Sequence, residues 1–171
     1  MTSRAGLAGG AVIRRHALAG LIAVAGATTI SQALAKSLSK EDSVKLKSAY
    51  PYAETLERLR AALKDAGFTI FAEIDHSAAA HSVGLEMPPT VVVIYGNPRG
   101  GTPLMLAAPD FALELPLRVL VREAGAGACY VTFNRSEGLE EKHGLPAGMT
   151  ARLAPAEAIL MQLGAVPVVQ E

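Results

Sequence analysis

The residues best suited to chemistry lie around Asp75-His76, at the end of a predicted strand. Glu73 lies two residues earlier on the same face, which separates the two carboxylates by about 7 Å. An imidazole beside carboxylates can act as a general acid or base, or bind a metal. The plainer interpretation is that both carboxylates face water and that Asp75 caps the next turn. With His143 as the second histidine, the catalytic candidates are His76, His143, Asp75 and Glu73.

A glycine-rich segment, Gly96 to Thr102, is the second feature that suggests ligand binding. Its outline is similar to a phosphate-binding loop, but Thr102 follows Gly101 directly, so the lysine that would reach the phosphates is missing. Nucleotide hydrolysis is therefore disfavoured. Backbone amides at a helix start, with Arg99 nearby, would still suit an anion or a carboxylate. The alternative is a glycine turn and a capped helix without a ligand.

Signatures of metal binding and of a nucleophile are weak. The chain has no H-E-x-x-H or C-x-x-C pattern, and the spacing of Cys129, His143 and Met149 is too wide for a copper loop. It has no G-x-S-x-G motif, and its single cysteine lies in a predicted strand, where a small buried hydrophobe is expected. No metal is assigned, and the identity of any cofactor stays open.

Hydrophobic periodicity predicts the elements that position these groups. Leu56, Leu59 and Leu63 recur at helical spacing, Gly67 ends that helix, and Phe68 to Asp75 alternates as a strand does. The β-branched run from Thr90 to Tyr95 is typical of a strand covered on both faces. Further elements are a strand at 44–48, a helix capped by Thr102 with Pro103 at N1, a hairpin of strands 117–123 and 128–133, and helices over 137–143 and 156–163.

This order of elements predicts an α+β fold: a compact single-domain sandwich over residues 44–164, in which helices pack on a mixed sheet of about five strands. The fourteen residues between Asp75 and Thr90 are enough for a crossover with a short helix over 77–83, which a parallel strand pair requires. Both strands would then end at one sheet edge. In that case a single pocket would be lined by Asp75, His76, Asn97, Arg99, Thr102 and His143. An antiparallel pair would separate His76 from Asn97.

The motifs from Phe68 to Leu145 resemble the family catalogued as domain of unknown function 302. The matching residues include Gly67-Phe68-Thr69 through Asp75-His76, Gly84-Leu85, Pro89-Thr90, Gly96-Asn97-Pro98, Gly101-Thr102-Pro103, Leu115-Pro116-Leu117 and His143-Gly144-Leu145. The resemblance implies a small α+β domain and is consistent with a homodimer. It implies no reaction.

Residues 1–35 have the three-part layout of an export signal. A basic start contains Arg4, Arg14 and Arg15, an uncharged run follows from residue 17 to 30, and Ala33-Leu34-Ala35 forms a small-residue exit. The pair Arg14-Arg15 resembles the twin-arginine motif, although Ile13 and Ala17 depart from it, so both this route and the general one stay open. We therefore expect a periplasmic or secreted protein without a membrane span after cleavage. Residues 36–43 would be a flexible lead-in, and residues 165–171 a tail.

The charge and the composition of the chain disfavour some classes of function. Residues 1–35 contain three of the 16 basic residues and none of the 16 acidic ones, so the mature chain is slightly acidic, and aromatic residues are only 5% of the whole. These values disfavour a nucleic-acid partner. Three functions stay open, in this order: binding of a small molecule or anion at one sheet edge, an envelope enzyme that uses His76 and His143 or a metal, and a structural or assembly module.

Export generates a direct test. Mass spectrometry of the protein recovered from expressing cells is expected to find Lys36 at the N-terminus, because Ala33 and Ala35 fit the small subsites of the signal peptidase. Replacing Arg14 and Arg15 by lysine distinguishes the two routes, since unimpaired export of that variant would contradict twin-arginine recognition. Retention of residues 1–35 would contradict the export signal itself.

Overall fold

The computed structural model describes residues 43–167, so the predicted export signal and most of the lead-in lie outside the described residues. Six strands and four α-helices make up this part of the chain. The strands are β1 (Ser43–Ser48), β2 (Thr69–Asp75), β3 (Thr90–Gly96), β4 (Leu117–Ala124), β5 (Ala128–Asn134) and β6 (Gly164–Pro167). The helices are α1 (Tyr52–Asp65), α2 (His76–Ser82), α3 (Pro98–Ala107) and α4 (Ala154–Met161).

The strands form one sheet in the order β2-β3-β4-β5-β1-β6, and every pair in it is antiparallel. The α+β class is confirmed, but the expectation of a mixed sheet is wrong. The last strand, β6, overlaps the predicted tail and pairs with β1. Four residues without a clear alternating pattern are too short a signal to predict a strand.

One face of the sheet is covered by helices. The buried leucines of α1, Leu56, Leu59 and Leu63, pack with Leu160 of α4 against Val93, Val119, Val121 and Val131 of the sheet. Gly67, at φ +75°, ends α1 in the left-handed conformation that glycine adopts readily, as the sequence predicted. Within residues 43–167 no helix combines the length and the apolar character needed to cross a bilayer.

The pairing of β2 with β3 contradicts the expected crossover. Thr69 lies opposite Gly96 and Asp75 lies opposite Val91, so the two strands run in opposite directions. The predicted connecting helix exists as α2, but its seven residues advance only about 10 Å, less than half the length of a seven-residue strand. None of its residues is buried, so α2 does not pack as a crossover helix would. The chain simply turns back at Asp75.

The helix after β3 begins at Pro98, five residues earlier than predicted. Asn97 is the N-cap, and its side-chain oxygen accepts a hydrogen bond from the Arg99 amide at 3.0 Å. Pro98 then occupies N1, where its missing N–H costs nothing. Thr102-Pro103, which the sequence predicted to be the cap, lies in the second turn instead. Asn97-Pro98 is itself a typical sequence for an N-cap followed by N1. Gly100 and Gly101, which follow it, suggested a loop instead of the first turn of a helix.

The segment between β5 and α4 also differs from expectation. The predicted helix over 137–143 is replaced by two short 3-10 helices, Ser136–Leu139 and Lys142–Gly144. Glu141 and His143 both have positive φ, which an α-helix does not allow. A second buried cluster anchors these segments to α3, and its members are Leu104, Ala108, Phe111, Leu139, Leu145 and Leu153.

The position of the cap can be tested by two alanine substitutions in the same helix. Asn97→Ala is expected to lower the free energy of unfolding by about 1 kcal/mol, because it removes the acceptor for the Arg99 amide. Thr102→Ala is expected to be neutral or to stabilise by up to about 0.5 kcal/mol, because alanine is the better helix former inside a helix. Urea unfolding measures both. The reverse order of effects would contradict the cap at Asn97.

Candidate functional site

A cleft of about 300 Å³ opens at the end of the sheet where β3 finishes. Three separate segments form its walls: the turn from β3 into α3, the segment that precedes β4, and the stretch that leads into α4. The start of β2 and the end of α1 complete it through Phe68, Phe71 and Ala66. Clefts of this size at the edge of a sheet are common sites for small molecules.

The lining of the cleft is mainly apolar. Side chains from Phe68, Phe71, Met105, Leu115 and Pro116 supply much of it, and the Leu115–Pro116 peptide is cis. The polar side chains among the lining residues belong to Asn97, Thr102 and Arg152. The cleft therefore offers a large apolar surface with a few polar groups, an arrangement that fixes the orientation of a bound molecule.

An irregularity in β2 contributes one wall. The register of the β2–β3 pair shifts between Ile70 and Ala72, and the residue between them, Phe71, lines the cleft. Its ring lies so close to Gly96 that a Cβ there would be 3.2 Å from the ring edge. A bulge commonly re-aims a side chain in this way next to a binding site. Gly96 is the residue that allows the phenylalanine ring to approach the backbone.

Arg152 is a cation at the cleft that sequence reasoning missed. It lies in the short 3-10 helix Met149–Leu153, and its side chain is exposed. Within residues 43–167, its guanidinium has no hydrogen-bond or ion-pair partner. No residue pattern in the sequence marks it, because it precedes the predicted last helix and belongs to no motif.

The side-chain carboxylate of Glu140 fixes the backbone that precedes Arg152. Glu140 accepts hydrogen bonds from the Thr150 hydroxyl and from the Gly148 amide. The same two donors, the hydroxyl first, hold the pKa of Glu140 below its ordinary value. The loop that leads to the cleft is thus tied to the segment after β5 by a charged acceptor.

The sequence suggested that backbone amides at the start of this helix could bind an anion, and the structure contradicts that suggestion. The Gly100 and Gly101 amides both donate to the Asn97 carbonyl at 2.9 Å, and the Arg99 amide donates to the Asn97 side chain. These donors are satisfied within the first turn of α3, so they have no hydrogen left for a ligand. Arg99 itself does not line the cleft, whereas Asn97 and Thr102 do.

Asp75 and His76 lie at the opposite end of the sheet from Asn97, so the expected shared pocket does not exist. Asp75 caps α2: its side chain accepts hydrogen bonds from the Ala78 amide at 2.9 Å and from the Ser77 hydroxyl. The hydroxyl, followed by the amide, lowers the pKa of Asp75. The plainer interpretation of this carboxylate, as a cap, describes its contacts in the structure.

Glu73 is occupied by an ion pair. The Arg60 Nε on α1 donates to its Oε1 at 2.7 Å, and a second guanidinium nitrogen donates to Oε2. This hydrogen bonding lowers the pKa of Glu73. The carboxylate therefore links β2 to α1 instead of forming an acid–base pair with His76.

His143 lies at the other end of the sheet from His76. Its Nε2 is 3.0 Å from Oε1 of Glu114, and Nζ of Lys142 is 3.8 Å from the second carboxylate oxygen. Glu114 precedes β4, which begins opposite the end of β3, so the histidine is on the side of Asn97. His143 is not among the residues that line the cleft. The two candidate histidines cannot share one reaction.

Among the residues that the structure describes, no three His, Cys, Asp or Glu side chains converge on a point where a metal ion would bind. Cys129 is buried in β5, and burial raises the pKa of its thiol. A raised pKa disfavours the thiolate, so this cysteine is a poor nucleophile. The cleft itself presents a mainly apolar surface and one cationic side chain, Arg152.

Comparison with protein families matches the model of DUF302, "Domain of unknown function DUF302", to residues 44–163. The chain belongs to the DUF302 family. The resemblance noted from the sequence is therefore confirmed. A crystal structure of an uncharacterized conserved DUF302 protein from Bacillus stearothermophilus has the same fold, with a TM-score of 0.63 and 19% sequence identity. The match covers 72% of this chain and 95% of that one.

Two longer proteins contain a similar stretch of sequence. The fluoride-specific ion channels FluC 1 of Brucella suis biovar 1 and of Brucella abortus biovar 1 are each 40% identical to this DUF302 chain over 102 residues. The matched stretch is 60% of this chain but only 40% and 38% of those proteins. This chain thus spans about two fifths of the length of the curated relatives that it matches.

Proposed function

We propose that this DUF302 domain binds a small, largely apolar molecule with one anionic group in the cleft between α3 and the segment that leads into α4. The observation that supports the proposal most strongly is the Arg152 guanidinium, which lines an apolar cleft and has no hydrogen-bond or ion-pair partner among residues 43–167. A cation without a protein partner next to an apolar surface is complementary to a molecule with a hydrocarbon body and an acidic end.

The walls of the cleft suit the body of such a molecule. Phe68 and Phe71 present aromatic rings, and Met105 adds an unbranched, adaptable side chain. Met105 is half-buried in α3 and lines the cleft. Release of water from these surfaces would supply most of the binding free energy.

The polar groups suit one end of the molecule. Arg152 can form two parallel hydrogen bonds with a carboxylate, and the Thr102 hydroxyl is available as an additional donor. Asn97 is already engaged as the cap of α3, so it serves the cleft mainly by fixing the position of that helix. The proposed ligand class is therefore a monocarboxylate with an apolar chain or ring.

A pair of probes separates the charge from the apolar contact. Decanoate is expected to bind the wild-type protein more tightly than decanamide, which has the same chain and no charge. Arg152→Gln is expected to weaken decanoate binding about tenfold or more, the usual effect of losing one charged hydrogen bond, and to leave decanamide binding unchanged. Isothermal titration calorimetry measures the four dissociation constants, those of decanoate and decanamide for the wild type and for Arg152→Gln.

The matched control is Arg58→Gln, which removes a cation from the exposed side of α1, away from the cleft. It is expected to leave decanoate binding unchanged. Gly100→Leu provides a second variant, because a side chain there extends toward the Arg152 carbonyl across the cleft, and its φ is not positive. It should reduce the binding of both probes. Equal binding of decanoate by all three variants and the wild type would contradict the proposal.

A second proposal concerns the system in which the domain acts. We propose that it is an accessory domain to a fluoride channel, because a 40% identical stretch forms part of chains that are fluoride-specific ion channels. Fluoride itself is small and strongly hydrated, so an apolar cleft of about 300 Å³ is not suited to the bare ion. The cleft would instead bind another molecule that influences passage of the ion through the channel. Periplasmic location, as predicted from residues 1–35, belongs to the same proposal.

Deletion of the gene from its host tests the fluoride proposal. The deletion strain is expected to grow more slowly than the parent in millimolar sodium fluoride and at the same rate in sodium chloride. Expression of the wild-type chain should restore growth, whereas expression of Arg152→Gln should not. Identical fluoride sensitivity of the parent and the deletion strain would contradict a role beside the channel without affecting the binding constants of the cleft.

A further inference from the structure

The face of the sheet that points away from α1 and α4, called the outer face below, has an unusual charge distribution. Because side chains alternate along a strand, residues next to the buried core positions of β1 to β5 point to this face. Four of them are cations: Lys45 and Lys47 on β1, and Arg118 and Arg122 on β4. No aspartate or glutamate occupies an outward position on these five strands.

Tyr130 of β5 lies between two of these cations. The Lys45 ammonium is 4.8 Å from the centre of its ring, and the Arg122 guanidinium is 5.1 Å from it. The register confirms the arrangement, since Tyr130 pairs with Lys47 on one side and with Arg122 on the other. Like charges placed this close repel each other, and the attraction of each cation to the aromatic ring offsets part of that cost.

The other half of the outer face is apolar. Ile74, Val92 and Leu120 form one row across β2, β3 and β4, and Ala72 and Ile94 lie beside it. Ile74 is 44% exposed. None of these five residues belongs to the hydrophobic core or packs against it. An apolar patch on the β2–β4 side of the sheet thus adjoins a cationic patch on the β4–β1 side.

We propose that the outer face docks onto a lipid bilayer that contains anionic phospholipids. A bilayer presents phosphate groups and acyl chains over a flat area, so it matches both halves of this face at once. The five strands span about 20 Å, which is wide enough for several lipid headgroups. A surface that had only to be soluble would mix charges of both signs.

Three other partners would match the outer face less well than an anionic bilayer does. A second copy of the chain would bring two cationic patches near each other. Residues 1–42 contain five basic residues and two acidic ones, so they do not offer a negative surface. Single-stranded nucleic acid usually stacks on several aromatic rings, and the outward positions of the strands that carry the cations, β1, β4 and β5, have one, Tyr130.

Vesicle sedimentation tests the proposal. The protein used is the form that is recovered from expressing cells. The probes are vesicles of phosphatidylglycerol and phosphatidylcholine in a 3:7 ratio, and vesicles of phosphatidylcholine alone. We expect binding to the first kind and weak or no binding to the second. The double variant Lys45→Gln/Lys47→Gln should bind about 10- to 30-fold more weakly, since each basic residue near an anionic membrane contributes about fivefold. Raising the salt concentration should reduce wild-type binding.

The matched control is Arg58→Gln/Lys64→Gln, which removes two cations from α1 on the covered side of the sheet. It should bind anionic vesicles as the wild type does, and circular dichroism should show that both double variants are folded. Ile74→Ser tests the apolar half and should also weaken binding. Absence of binding to anionic vesicles, or equal loss in the two double variants, would overturn the proposal. So would tighter binding to a single-stranded oligonucleotide, or a dimer in sedimentation velocity that Lys45→Gln/Lys47→Gln dissociates.

Discussion

The antiparallel pairing of β2 with β3 determines where the functional groups of this domain can lie. Because Asp75 is opposite Val91 and Thr69 is opposite Gly96, the residue after β2 and the residue after β3 are separated by the length of a strand. His76 therefore begins α2 at one end of the sheet, while Asn97 begins α3 at the other. The cleft forms at the second end, where α3, the segment before β4 and the segment before α4 meet.

Close packing around the start of α3 gives the cleft its shape. Asn97 caps the helix, and Gly101 lies where a Cβ would be 3.3 Å from the Leu115 side chain. The buried side chains of Leu104 and Leu153 join α3 to the segment that contains Arg152, and Glu140 ties the preceding loop through Thr150 and Gly148. The cation is thus held beside an apolar surface by contacts that are independent of any ligand, which reduces the entropy that binding must overcome.

Most of the regular elements before Asn134 were predictable from the sequence, but the direction in which β2 and β3 pair was not. The spacing of Leu56, Leu59 and Leu63, the stop at Gly67 and the alternation up to Asp75 all identify local structure correctly, because period and turn chemistry are local properties. The direction of β3 relative to β2 depends on what α2 buries, and a sequence pattern does not show that. Asn97 and Thr102, which the sequence marked by its glycine-rich segment, are among the residues that line the cleft, whereas Arg152 and the bulge at Phe71 result from tertiary contacts between distant segments.

The location of the ligand-binding cleft can be measured residue by residue. Amide chemical-shift changes during titration with decanoate, recorded by two-dimensional ¹H–¹⁵N nuclear magnetic resonance, report which part of the backbone meets the ligand. If the ligand binds in the cleft, the largest changes fall at Asn97, Gly100, Thr102, Arg152 and Phe71, with little change at Asp75, His76 or Ala78. Changes centred on Asp75 and His76, or spread evenly over the chain, would contradict a binding site at the end of β3.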